Sequence, residues 1–504
     1  MHYVSLIVEF LRGRPAVVFW SAALGQAALW FVVPSLFYSA PPVALGEVLM
    51  VGRHGLLGSA FGPPLAFWLA ELAFRIGGIV GVYLLAQLCV VVALWAVFQL
   101  GRAVVGARHA ALAVLLMTGI SVLSLQTVDF GPAVLALPLW ALALLNYWRA
   151  IAEGRRGAWF MLAFALGLLL LTSGLGVLLA ALLVLFTLAD ARARAAFRHV
   201  EPWLAMLLLA VVVAPYATWF AQHWPAALWT VLPSNAAAGW PAVLALAGTI
   251  LLAHAGLLLL VALAGGWPRN RRERPPLIED RHRGWRDRAF VYVFALAPPF
   301  GALALAGGLG IAFERIAPLV LLSGLAVVTV AGERIALYRE RIVSFAWVGL
   351  LVMPPSLIVL GLGLGPWLAA ADFKVAQPAG AMGRFFADSF QRRTGQPLQI
   401  VAGDQRLATL VALAAPSRPS VFLNATPERS PWVTAERLRE TGGIVVWPAV
   451  DTIGAPPAAL RDMFPGLVAE VPRVFERAVQ GRLPLMRVGW AVIRPAAAPQ
   501  PARQ

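Results

Sequence analysis

The sequence predicts an α-helical polytopic membrane protein that ends in a small α/β domain, and three observations predict it. The 504-residue chain is 60% hydrophobic and only 13% charged, with a mean hydropathy of +0.78; a soluble chain carries about a quarter charged residues. Apolar runs of about 18 to 25 residues recur between Ala16 and Trp367, each long enough to cross a hydrocarbon layer of about 30 Å. After Asp372 the runs give way to short apolar segments alternating with helical patterns. The runs are continuous and do not alternate, so they read as helices and exclude a β-barrel.

Taken in order, the spans fall near 16–38, 79–100, 110–127, 131–149, 158–172, 174–189, 202–222, 241–266, 289–311, 315–333 and 343–367, about eleven in all. Only Thr172-Ser173-Gly174 divides the fifth from the sixth. Arg12 and Arg14, Arg102 and Arg108, Arg149 with Arg155 and Arg156, Arg192 with Arg194 and Arg198, Arg269 to Arg288, and Arg334 with Arg339 and Arg341 occupy every second connection. The alternate connections hold Arg53, Arg75 and Arg315. This positive-inside pattern puts the N-terminus in the cytoplasm, and an odd number of crossings puts everything after Trp367 outside, on the far side of what reads as an inner membrane. The net charge of +16 is thereby a set of topology signals and not a nucleic-acid footprint. The first run is too long for a signal-peptide core and lacks a cleavage site, so it is expected to remain as the first helix.

Two outer segments are long enough to do chemistry. Residues 39–78 carry Pro41-Pro42, an amphipathic stretch around Glu47, Gly62-Pro63-Pro64 and the apolar run 65–76, which together read as short helices at the membrane surface. Residues 223–240 are rich in tryptophan. In the C-terminal part, helices are expected at 383–394, 404–414 and 435–441, and strands at 398–402, 420–423, 443–447 and 486–493, forming a three-layer domain with a largely parallel sheet. The domains are therefore a membrane domain over 1–368 with its first outer loop at 39–78, a periplasmic α/β domain over 369–494, and a Pro/Ala-rich disordered tail over 495–504. Cys89 is the only cysteine, which excludes disulfides and thiolate metal sites within the chain.

The stretch PPVALGEVLMVGRHGLLGSAFGPPLAFWLAELAFRI, from Pro41 to Ile76, resembles the first-loop signature of the protein-mannosyltransferase type of integral-membrane glycosyltransferase, the GT-C class. DFGPAVLALPLWALALLNYWRA, from Asp129, is similar to the next outer segment and helix of that family, APYATWF to a further one, and GGIVVWP to the small outer domain of bacterial members that modify lipid A core. The resemblance implies a GT-C-like fold and a sugar donor linked to polyprenyl phosphate. It also implies a lipid or cell-envelope glycan acceptor and inversion at the anomeric carbon. Three departures qualify it: Ala44 stands where relatives carry an aspartate, Phe61-Gly62 where they carry Lys-His, and Tyr216 where many carry histidine.

That chemistry needs a base for the acceptor hydroxyl and positive charge for the departing phosphate. Glu47 is the candidate base, the alternative being that it caps or solvates an interfacial helix. Asp129 is the second carboxylate, the alternative being an N-cap beside Gly131-Pro132. Arg53 and Arg315 are the candidate phosphate ligands ahead of Arg75, which stands four residues after Glu71 and can pair with it. His54, Tyr216 and Trp224 complete the candidate substrate-binding set, with surface placement and interfacial anchoring as their alternatives. No cofactor is implied; a divalent metal on Glu47 and Asp129 is short of carboxylates. The main rival is a non-catalytic protein of the same fold that binds a lipid carrier or partner enzyme; a transporter, the second, is disfavoured because the spans are nearly free of ionisable groups and no two halves match.

Overall fold

The structure is a computed structural model that describes residues 13–125, 128–231, 238–264, 284–311, 316–331, 340–423, 430–449 and 452–496. The chain divides into two compact units: residues 1–32, 57–66 and 80–356 form the first, and residues 33–56, 67–79 and 357–504 the second. One helix of the first loop region, 43–52, and part of the next, 67–79, thus belong with the C-terminal domain.

The helices, in chain order, begin with α1 (Pro15–Phe37), α2 (Val43–Gly52), α3 (Leu65–Val104) and α4 (Ala107–Met117). They continue with α5 (Pro132–Ile151), α6 (Gly157–Leu170), α7 (Leu175–Ala189), α8 (Glu201–Gln222), α9 (Trp240–Ala253) and α10 (Ala255–Leu263). After these come α11 (Trp285–Leu309), α12 (Ser323–Ala331) and α13 (Glu340–Leu368). Among the described residues six helices, α1, α3, α5, α8, α11 and α13, are long and apolar enough to cross a membrane, and the α9/α10 pair, bent by 44°, makes a seventh candidate. The four other expected spans are the shorter helices α4, α6, α7 and α12, of 9 to 15 residues. A straight crossing takes about 20.

The break after α4 has a visible cause. Gly119 and Gly256 meet so closely that a Cβ on Gly256 would stand 2.4 Å from the Gly119 carbonyl oxygen. Backbones approach like this in membranes where small residues line the contact. The centre of the first unit is α5, whose Pro132 supplies a preset φ at the helix start. Its Trp140, Tyr147 and Trp148 are fully buried. Tyr147 packs against Phe186, Phe290 and Phe294, and its hydroxyl lies 2.7 Å from Thr187 Oγ1. In contrast, only 6% of the apolar window of α13 is buried, as a lipid-facing helix requires. α3 was expected as a surface stretch followed by a span. It is one 40-residue element with a kink at Gly77 and Gly78, where Gly78 has φ 60° and ψ −152°, a conformation open to glycine alone.

The second unit adds α14 (Ala379–Thr394), β1 (Ile400–Gly403), α15 (Gln405–Ala414), β2 (Ser420–Phe422), α16 (Ala435–Thr441), β3 (Gly443–Pro448), β4 (Arg473–Phe475) and β5 (Met486–Ile493). The sheet runs β2-β1-β3-β5-β4. The expected largely parallel sheet is corrected here. β1 pairs with β2 and β3 in parallel, whereas β5 pairs with β3 and β4 antiparallel. The parallel half comes from two βα crossovers, α15 and α16; no helix of crossover length separates β4 from β5, so that end turns back as a meander. One sheet face (Ile400, Ala402, Phe422, Val445, Trp447) packs against Leu438 of α16 and Leu460. The other is covered by α14 and α15. Asp404 caps α15 by accepting from Leu407 N at 2.9 Å, and α14 ends on Gly395 at φ 71°.

Candidate functional site

Within the second unit, two clusters form where α2 and the start of α3 meet the α/β domain. The first surrounds Glu47. Seven of the ten residues of α2 are buried, so the helix is not the amphipathic surface element expected of it. Gly46 allows the approach of α15, since a Cβ there would lie 3.1 Å from Thr409 Cγ2. That contact brings Gln405 against Glu47, and Gln405 Nε2 donates to Glu47 Oε1 at 2.8 Å. Beside it, Arg406 donates to the carbonyls of Pro41 and Lys374, each at 2.9 Å, and to Gln377 Oε1 at 3.1 Å. Burial lowers the Arg406 pKa, opposed by Asp404 and Glu47. The Glu47 carboxylate is therefore half-buried and held by an amide. Those neighbours are not a divalent-metal donor set, and among the described residues no three His, Cys, Asp or Glu side chains converge.

The second cluster lies at the C-terminal end of α2. Arg53 and His54 line a small recess together with Leu49, Leu413, Arg418 and Val421. The His54 ring stacks on Trp432, centroids 4.6 Å apart and planes 5° from parallel. Glu71, with 7% of its side chain exposed, accepts a bidentate pair from Arg418 at 2.9 Å on each oxygen, and a third bond from Arg75 Nε at 2.8 Å. Arg418 holds this position with φ 46°, a left-handed backbone that a non-glycine side chain enters at a cost, and its guanidinium lies 4.3 Å from the Phe74 ring centroid. Burial lowers the Arg53 pKa, and Arg418, Arg75 and Arg437 lower it further against the pull of Glu71. The His54 pKa is pushed down to about 4, first by burial and then by Arg53 and Arg437. Arg53 Nη1, His54 Nε2 and Arg418 Nε are buried without a hydrogen-bond partner.

The structure thus brings Arg53 and His54 into one recess and places Glu47 in a neighbouring network on the same helix. Asp129, Tyr216 and Trp224 belong to the first unit. Asp129 is half-buried and is not an N-cap: α5 starts after Gly131, and no side chain caps it. Tyr216 is buried and stacked on Trp219, centroids 5.7 Å apart. Trp224 is 59% exposed, as an interfacial tryptophan would be. Arg315 lies outside the described residues, as do most of the arginine-rich connection before α11 and the segment 424–429. Sequence reasoning missed Gln405, Arg406, Arg418 and Trp432. No local signal marks Arg418, whose contact with Glu71 spans 347 residues.

Residues 62–219 match the family described as dolichyl-phosphate-mannose-protein mannosyltransferase. No curated protein matches the chain. Among solved structures, ArnT from Cupriavidus metallidurans bound to undecaprenyl phosphate aligns with a TM-score of 0.58 at 16% identity, over 96% of this chain and 99% of that one. The apo state of ArnT gives a TM-score of 0.52 at 15% identity, with the same coverage. The arabinofuranosyltransferase AftD from Mycobacteria gives 0.53 at 16% identity, over 95% of this chain and 41% of that one. The chain therefore has the GT-C fold of a multi-pass membrane protein with a small C-terminal sheet domain.

Proposed function

We propose that this protein is a membrane glycosyltransferase that moves a sugar from a polyprenyl-phosphate donor to a lipid or cell-envelope glycan acceptor at the periplasmic face of a bacterial inner membrane. The observation that carries the reading is Glu47, an ordered, half-buried carboxylate in the first loop of a GT-C fold. In the reaction, the Glu47 carboxylate takes the proton of the acceptor hydroxyl, and the hydroxyl oxygen bonds to the anomeric carbon from the face opposite the phosphate. The anomeric C–O bond breaks, and polyprenyl phosphate leaves with the electron pair. Gln405 holds the carboxylate in one orientation, which matters because a base must sit within hydrogen-bond reach of its proton. Asp129 is the second carboxylate. Arg53 or Arg315 stabilises the departing phosphate, to which a guanidinium fork is matched. His54, Tyr216 and Trp224 are the remaining candidate substrate contacts, Trp224 by stacking on a sugar ring.

A second reading draws on the same contacts. Glu47 bound by Gln405 also fastens α2 to α15, and Ala44 stands where relatives carry an aspartate, which fits a non-catalytic protein of this fold that binds a lipid carrier. One comparison separates the two: transfer of labelled sugar from native membrane lipids to envelope acceptors by wild type and by Glu47→Gln. A folded Glu47→Gln variant that loses at least about a hundredfold in rate supports the base, since general base catalysis contributes about 10²–10⁴. Full activity in that variant transfers the role to Asp129, and no transfer by wild type across a broad donor panel favours the non-catalytic reading.

A further inference from the structure

We propose that the connection between β4 and β5, residues 476–485, is a membrane-surface foot that rests on anionic phospholipid headgroups beside the C-terminal end of α13. The inference concerns the lipid surface and does not depend on the transfer reaction.

Length places that end of α13 among the headgroups. The helix has 29 residues and, at about 1.5 Å per residue, is roughly 43 Å long. That exceeds a hydrocarbon core of about 30 Å and matches the roughly 40–45 Å of a bilayer with its headgroup regions. The apolar window reaches Leu368 and is almost wholly unburied, so its sides face lipid. Near its end, Trp367 and Leu368 are exposed, the first as an interfacial tryptophan would be.

The C-terminal domain is fastened at this level. Arg482 N donates to the Pro366 carbonyl at 2.9 Å. Gly481 makes the approach possible: its φ is 54°, and a Cβ there would stand 2.5 Å from the Pro366 carbonyl oxygen. Arg477 pairs with Asp372 at 3.2 Å and donates to the Pro484 carbonyl at 2.9 Å. Gln480 Nε2 donates to the Leu483 carbonyl at 2.8 Å, so the loop holds its shape before any lipid arrives. After α13 the chain doubles back, and a Cβ on Gly365 would lie 2.8 Å from the Phe373 ring. The connection thus rides on the last turn of a lipid-facing helix.

The exposed side chains at this level suit such a surface. Leu485 is half exposed, and Lys374 and Arg482 are exposed. Arg477 and Asp372 cancel as a pair, which leaves Lys374, Arg482 and Arg487 against Glu476. Apolar side chains at the headgroup boundary with an excess of cations beside them are what attraction to anionic lipid requires.

The test uses the full-length protein carrying Cys89→Ala and a fluorophore on Ala478→Cys, an exposed position of the loop, in vesicles of phosphatidylcholine and phosphatidylglycerol. Spin-labelled phosphatidylglycerol should quench the fluorophore in preference to spin-labelled phosphatidylcholine, by about fivefold in relative affinity, which is what one cation near an anionic surface contributes. Lys374→Gln with Arg482→Gln should abolish the preference, and added salt should weaken it. Both side chains are exposed, so the double variant should keep the thermal midpoint of the wild type. Arg439→Gln should leave the preference unchanged. The Arg439 carbonyl accepts from Ala496 N, just past the far end of β5, whose eight residues put that end about 23 Å from the loop. That is well beyond a Debye length of about 10 Å. Absence of quenching by either lipid overturns the foot. Equal quenching by the two lipids, or a preference that survives the double variant, overturns its assignment to anionic headgroups held by these cations.

Discussion

Glu71 and Arg418 concentrate much of the second unit's electrostatics in one buried pair. Removing Arg418 leaves a carboxylate that is only 7% exposed with Arg75 as its remaining ion-pair partner, so Arg418→Ala should cost about 1–3 kcal/mol of stability, seen as a lower denaturation midpoint of the full chain in detergent. Arg75→Ala removes a partner that is 65% exposed and should cost no more than about 0.5 kcal/mol. Replacing both members, Glu71→Gln with Arg418→Gln, should restore much of the loss, because no uncompensated charge is then buried. His54 gives a pH signature. Its pKa falls from 6.5 to about 4 on folding, so the unfolded chain binds more protons between those values. Stability from this group is present above pH 6.5 and is lost as pH falls toward 4. The groups acting on the ring are Arg53, Arg437, Glu71 and Arg418. His54→Gln should flatten that window in a pH series of thermal midpoints. At this scale the sequence revealed pairs set by helical spacing, such as Glu71 with Arg75. It could not reveal Arg418, which meets Glu71 across 347 residues.

α2 shows what composition hides in an element. Its sequence reads as an interfacial helix because Glu47 interrupts apolar residues, yet seven of ten positions are buried, several of them against a helix far along the chain. Gly52 is what lets the start of α3 approach: a Cβ there would lie 2.3 Å from the Phe67 carbonyl oxygen. Gly52→Ala should therefore force α2 and α3 apart and cost about 1–3 kcal/mol, measured by the same denaturation assay. Helix α16 and strand β5 were legible to their ends because each is a self-contained pattern bounded by turn residues. β4 was not, since only Phe475 of its three residues is buried and nothing in the chain before it alternates. The antiparallel pairing of β5 was equally hidden, because strand direction is fixed by connection length and not by the strand's own residues.

At the scale of the molecule, hydropathy gave the helical membrane class directly, and each of the eleven apolar segments has a helical counterpart. Lengths were less legible, because close glycine contacts and bends shorten helices without changing composition. The side-chain ties that place residues 33–56 and 67–79 with 357–504, such as Glu47 with Gln405, carry no local pattern that the sequence displays. A fragment beginning at Leu357 should accordingly fail to give a cooperative unfolding transition, as Thr409 and Leu413 lose their cover at Gly46. The same discontinuity sets a clock on biosynthesis. Roughly 280 residues separate Ile79 from Leu357, which at about 5–20 residues per second is a delay of roughly 15–60 s. During that time α2 has left the ribosome with its partner helix α15 still unmade, and a waiting apolar helix of this kind is a natural client for an insertase or a chaperone.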